Sequence, residues 1–127
     1  MSVTIAISNM KGGVGKSTTT LNLGAALTVS NKRVLLIDSD VQGNLTAALG
    51  FTPAEQKSTL AKLLLAAIDS PEDVELHLLR TILHTESGLD LIPANMKLAD
   101  AAARLQVMQL SQYSGVGEAE RSVCAKR

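Results

Sequence analysis

Lys11-Gly-Gly-Val-Gly-Lys-Ser-Thr18 is the stretch from which the rest of the chain is read. It follows Val3-Thr-Ile-Ala-Ile7, a β-branched apolar run that predicts a first strand. It opens Lys16–Val29, where Leu21, Ala25 and Val29 recur every four residues and predict a helix. Glycines between a strand and a helix let the backbone turn so that successive N–H groups point inward, a cradle for phosphate oxygens. The helix that follows adds its positive end. In this context Lys16 can reach the β- and γ-phosphates of a nucleotide, and the Ser17 hydroxyl can ligate Mg²⁺. A glycine-rich turn without a ligand is the alternative. Gly15-Lys-Ser17, directly after a strand and opening a helix, favours nucleotide binding.

Working outward, Asn31 can close the helix in a left-handed conformation. Val34-Leu-Leu-Ile37 is a continuous apolar run closed by Asp38, the pattern of a buried parallel strand. Strand, glycine turn, helix and strand make one βαβ unit with a right-handed crossover, which sets the fold class as α/β. A polar loop, Asp38-Ser-Asp-Val-Gln-Gly-Asn44, leads into a helical turn at Leu45–Leu49 stopped by Gly50. Ser58–Ile68 predicts a helix capped by Ser58 or Thr59. Pro71 marks another helix start, and Leu76–His84 is compatible with helix or strand. Gly88–Pro93 predicts a strand ended by proline. Lys97–Leu110 carries Leu98, Ala101, Ala102, Leu105 and Met108 at helical spacing. From Ser111 the periodicity is lost, so residues 1–110 form the expected domain and 111–127 an irregular or disordered tail.

Composition narrows the function classes. The 127 residues carry 12 basic and 12 acidic side chains, so the net charge is zero and binding of nucleic acid or membrane by bulk charge is disfavoured. Phe51 and Tyr113 are the only aromatic residues, which leaves no stacking platform for bases. Cys124 stands alone, excluding an internal disulfide framework or paired-cysteine zinc site. His77 and His84 have no metal-ligand spacing. The longest strictly apolar run, Leu63–Ile68, is far short of the roughly 20 residues a membrane span needs. With no basic leader before the first apolar stretch, a cytoplasmic protein without membrane attachment is expected.

Met10 occupies the place of the usual first glycine of such loops, and a second lysine, Lys11, precedes the double glycine. With this loop and with Asp38-Ser-Asp-Val-Gln-Gly-Asn-Leu-Thr46, the chain resembles the ParA, Soj and MinD family of deviant Walker A ATPases. Gln42-Gly-Asn-Leu-Thr46 is closer to the ParA/Soj branch, and Gly88–Asn95 resembles a later strand and turn of those proteins. Val41 stands where the family commonly has proline. The resemblance covers about residues 2–110. It implies a P-loop NTPase fold, the N-terminal part of a doubly wound, mostly parallel sheet with helices on both faces.

The resemblance also implies ATP and Mg²⁺ as ligands, and slow hydrolysis that switches a nucleotide-dependent homodimer. The phosphates would be held by Lys11, Gly12, Gly13, Val14, Gly15, Lys16, Ser17 and Thr18. Lys11 would act across the dimer, where a second cation near the γ-phosphate offsets developing charge. Two carboxylates at the end of a buried strand lie where α/β sheets bind ligands, and beside a triphosphate they imply a metal or water between. Asp38 would then hold the Mg²⁺ shell, with Ser17 as the direct ligand, and Asp40 would orient the attacking water. Two aspartates capping a turn is the alternative.

The family's next feature, an apolar strand ending in the Walker B aspartate, has no counterpart, because no run of three apolar residues follows Leu110. A truncated or frameshifted chain is therefore expected. A ParB-like partner and non-specific DNA belong to the full-length family, and their surfaces would lie beyond this half. The remaining alternatives are a non-enzymatic fragment that at most binds nucleotide or pairs with a full-length relative, and a MinD-like or other P-loop ATPase with a different cargo.

Overall fold

A computed structural model describes the backbone of residues 2–124 and the side chains of residues 2–110. Helix α1 spans Lys16–Val29, as its spacing predicts, and Asn31 follows it with φ 58°. Strand β1 is Val34–Ile37. Helix α2, Asn44–Ala48, is a short turn ended by Leu49 and Gly50, the latter at φ 88°. Helix α3, Leu60–Asp69, starts after Thr59, and a 3₁₀ turn at Pro71–Asp73 leads into α4, Val74–Thr81. The ambiguous segment resolves into both states, since α4 ends at Thr81 and β2 is Leu83–His84. Strand β3, Leu89–Ile92, and helix α5, Lys97–Cys124, complete the order.

The sheet has three strands in the order β1-β3-β2. Strand β1 runs parallel to β3 with Leu36 opposite Leu91, and β2 pairs antiparallel with β3. Side chains alternate across the pleat. Leu36, Leu89 and Leu91 form one core with Leu45, against which Leu21, Leu49 and Phe51 pack. Helix α1 approaches closely at Gly24, where a Cβ atom would sit 3.0 Å from Leu36 Cδ2 and 3.2 Å from Leu89 Cδ2. A second core, Ala61, Ala94, Leu98 and Ala101, joins α3 to α5 just beyond the end of β3. A two-toothed Arg104–Asp69 ion pair, 2.6 and 2.9 Å, ties the same two helices at their exposed side.

Two expectations are corrected. Val3–Ile7 is not a strand: residues 2–9 carry no regular structure, and Val3 and Ile5 are 77% and 58% exposed. β-propensity alone does not make a strand, because each strand needs a ladder partner, and among the described residues this segment pairs with none of the three strands. The βαβ unit therefore lacks its first strand here. The tail is also not irregular through its length, since α5 runs on to Cys124. A helix nucleated at Lys97 propagates at one hydrogen bond per residue, which offsets Gly115 and Gly117 at about 1 kcal/mol each.

The unpaired first segment leaves apolar surface in the open. Leu35 and Ile37, on the face of β1 opposite Leu36, are 44% and 51% exposed, and only one edge of β1 is paired. An apolar edge of this kind recruits other chains. The isolated protein is expected to self-associate with rising concentration in gel filtration, and replacing Leu35 and Ile37 by lysine should suppress this. A sharp monomeric peak at every concentration, with a cooperative melt above about 60 °C, would contradict it.

Candidate functional site

Helix α1 is joined to β1 by a tight turn, so the two run in opposite directions. Thr28, near the end of α1, lies against Gly88 at the start of β3, and Gly24 lies over Leu36 and Leu89. The start of α1 at Lys16 is about 12 Å further along the helix axis at 1.5 Å per residue. It therefore lies toward the C-terminal ends of β1 and β3, and Asp38 and Asp40 follow β1. The start of α1, with the loop before it, and the acids after β1 thus lie toward the same end of the sheet, the end where open α/β sheets bind ligands.

The loop itself has the backbone of an anion cradle. Gly13 and Gly15 adopt φ 71° and 86°, which favours glycine, and nothing lies within 4 Å of a Cβ built on Gly12, Gly13 or Gly15. Gly15 precedes α1 without a side-chain cap, so the first helical N–H groups keep their donors for a ligand. The Lys16 ammonium donates to the Lys11 carbonyl at 3.0 Å and arches over the loop. The Lys11 N–H donates to Asn9 Oδ1 at 2.9 Å. Lys11, Gly12, Gly13, Val14 and Thr18 are exposed, while Gly15, Lys16 and Ser17 are half-buried. Open space, left-handed glycines and one ammonium suit a phosphate chain.

The acids differ from each other. Asp38 is 2% exposed. Its Oδ1 accepts the Asp40 N–H at 3.1 Å, and its Oδ2 accepts the Thr46 N–H at 2.9 Å and the Thr46 hydroxyl at 2.6 Å. Asp40 is half-buried, accepting the Gln42 N–H at 3.0 Å and the Asn44 amide at 2.8 Å. Thr46 is fully buried, and its oxygen also accepts the Ala94 N–H at 3.1 Å. Gly43 makes the turn at φ 66°, pressed against Pro53 and the Ala94 carbonyl. Thr46, Gly43 and Asn44 are missing from the sequence-predicted site. For Asn44 the signal that could have found it is an amide four residues, one turn, after Asp40.

His84 and Asp90 face each other across β2 and β3, with Nδ1 2.6 Å from Oδ1, on an exposed surface. No group of three or more His, Cys, Asp or Glu side chains converges on a metal position among the described residues. No helix among the described residues is long and apolar enough to cross a membrane.

A glycine turn opening a helix, with acids after the next strand, is the pattern of a P-loop α/β protein. A family model described as an AAA domain matches residues 2–118. The chain belongs to this family, in the ParA/Soj/MinD group of P-loop ATPases. It is 43% identical over 101 residues to the sporulation initiation inhibitor protein Soj of Bacillus subtilis, covering 80% of this chain and 37% of Soj. It is 40% identical over 104 residues to the chromosome partitioning protein ParA of Caulobacter vibrioides, covering 80% of this chain and 35% of that one. A crystal structure of cobyrinic acid a,c-diamide synthase from Mycobacterium smegmatis, with bound ATP analogue and magnesium, superposes with TM-score 0.67 and 39% identity, over 78% of this chain and 37% of that chain. The chain thus spans little more than a third of the length of these relatives.

Gly43→Ala tests the turn behind the acidic loop. A Cβ there would lie 2.8 Å from Pro53 Cβ and Cγ and 3.0 Å from the Ala94 carbonyl, at a φ that L side chains resist. Urea unfolding is expected to show a loss of roughly 1–3 kcal/mol, against about 0.5 kcal/mol or less for Gly12→Ala. Equal midpoints for the two variants would contradict the packing described.

Proposed function

We propose that this chain is a Mg²⁺-dependent ATP-binding module of a ParA/Soj-like partitioning ATPase. The observation that carries the reading is the open glycine turn at Gly12–Gly15, with the Lys16 ammonium bonded to the Lys11 carbonyl at the start of α1. Relatives whose structures hold an ATP analogue or ADP with magnesium support the ligand choice.

In this reading the backbone N–H groups of Gly12, Gly13, Val14, Gly15, Lys16, Ser17 and Thr18 hold the phosphate oxygens. Lys16 exchanges its bond to the Lys11 carbonyl for the β- and γ-phosphates. Ser17 supplies a hydroxyl to Mg²⁺, and Asp38 serves the metal's outer shell, because three donors already occupy its two oxygens. The metal, when bound, draws charge from the transferring phosphoryl group. Asp40, half-buried at the mouth of the loop, orients and deprotonates the attacking water. Lys11, exposed at the loop's start, is free to reach a second copy's phosphates in a nucleotide-dependent homodimer. A ParB-like partner and DNA are proposed only for longer relatives. A cytoplasmic location accords with this role.

A second reading has its own support: a fragment that binds nucleotide without turnover. Among the described residues no strand follows β3.

Titration calorimetry with Mg²⁺–ATP and phosphate-release assays separate these outcomes. Wild type is expected to bind, and Lys16→Ala to bind about 10- to 100-fold more weakly, the worth of a charge-assisted hydrogen bond or two. Phosphate release above the Lys16→Ala level supports the ATPase reading. Binding without such release supports the fragment. Equal heats for wild type and Lys16→Ala would overturn both.

A further inference from the structure

We propose that Thr46 is a positioning residue for Asp40, acting through the buried Asp38 carboxylate. The relay is continuous. The Ala94 N–H donates to Thr46 Oγ1 at 3.1 Å, and the Thr46 hydroxyl donates to Asp38 Oδ2 at 2.6 Å. Asp38 Oδ1 in turn accepts the Asp40 N–H at 3.1 Å. The direction of the hydroxyl proton follows from chemistry: a carboxylate only accepts, and a backbone N–H only donates. Thr46 must therefore give its proton to Asp38 and a lone pair to Ala94. One hydroxyl does both tasks with no exposure to water.

The consequence is mechanical. The Asp38 carboxylate is held on both oxygens, so it cannot rotate without breaking a bond to Thr46 or to Asp40. The backbone of Asp40 is thereby registered to Ala94 at the end of β3, a residue 48 positions from Thr46 in sequence. The side chain of Asp40 is fixed in turn by the Gln42 N–H and the Asn44 amide. Serine keeps the relay. Valine keeps the shape and the backbone N–H bond to Asp38 but removes the hydroxyl link, leaving the Ala94 N–H buried without its acceptor. The role of Asp40 in turnover rests on the nucleotide reading above. The positioning of its backbone does not.

The test compares Thr46→Val and Thr46→Ser by amide hydrogen exchange and by phosphate release from Mg²⁺–ATP. In Thr46→Val the amides of Asp40 and Ala94 are expected to exchange about tenfold faster or more, while those of Leu23–Leu27 in α1 stay unchanged, the mark of local opening. Thr46→Ser is expected to restore wild-type exchange. Turnover, where wild type shows it, should fall roughly tenfold to a hundredfold in Thr46→Val with nucleotide affinity kept, as a misplaced catalytic group does. Thr46→Ser should recover it. Unchanged exchange at Asp40 in folded Thr46→Val would overturn the proposal, as would a defect that serine fails to relieve. Should Thr46→Val not fold, Thr46→Ala removes the same hydroxyl, and faster or unchanged exchange at Asp40 decides in the same way. Wild-type phosphate release no higher than that of Lys16→Ala would remove the hydrolysis reading and leave the exchange comparison to judge the positioning.

Discussion

A carboxylate taken out of water must be held by something, and at Asp38 that something is the protein's own dipoles. The residue is 2% exposed, and it is in neither of the two ion pairs found among the described residues. Three donors from Asp40 and Thr46 satisfy it, one of them a hydroxyl at 2.6 Å. The need to supply those donors dictates the loop. The chain must turn sharply after Asp38, which Gly43 permits at φ 66°, and must begin α2 so that the Thr46 N–H and hydroxyl both face back toward the strand. The same hydroxyl receives the Ala94 N–H, so β1, α2 and the end of β3 share one polar knot beneath the acidic loop.

Above that knot the chemistry is arranged by direction and not by contact. Gly24 lets α1 lie low over Leu36 and Leu89, and the short turn through Asn31 sends β1 back along it. The start of α1 and the acids after β1 then lie toward the same end of the sheet. The apolar core under α1 fixes this geometry, and the polar knot fixes the acids within it. The exposed Leu35, Ile37, Val3 and Ile5 mark where the same plan lacks cover.

Much of this was legible from the chain. The glycine loop, α1, β1, Asn31, β3 and the start of α5 follow from local pattern, because each is set by short-range sterics or a strong period. Membership of the ParA/Soj group was legible from the loop lysines and from Gln42-Gly-Asn-Leu-Thr46. Val3–Ile7 misled, because its composition suits a strand but pairing is a tertiary property, and among the described residues it pairs with none of the three strands. The helical continuation past Leu110 was hidden by Gly115 and Gly117, whose local cost propagation offsets. Thr46 was hidden for a different reason: its partners Asp38 and Ala94 lie 8 and 48 residues away, and no local pattern reveals a contact of the second kind.

In the proposed reading the glycine cradle and the acidic loop form a single nucleotide site. Amide chemical-shift mapping on addition of a Mg²⁺-bound, non-hydrolysable ATP analogue tests it most directly. The account predicts that N–H signals of Gly12–Thr18 and of Asp40 move together along one saturation curve, while those of β2 and α4 stay in place. Movement of the cradle without Asp40, or no saturable movement in either segment, would contradict it.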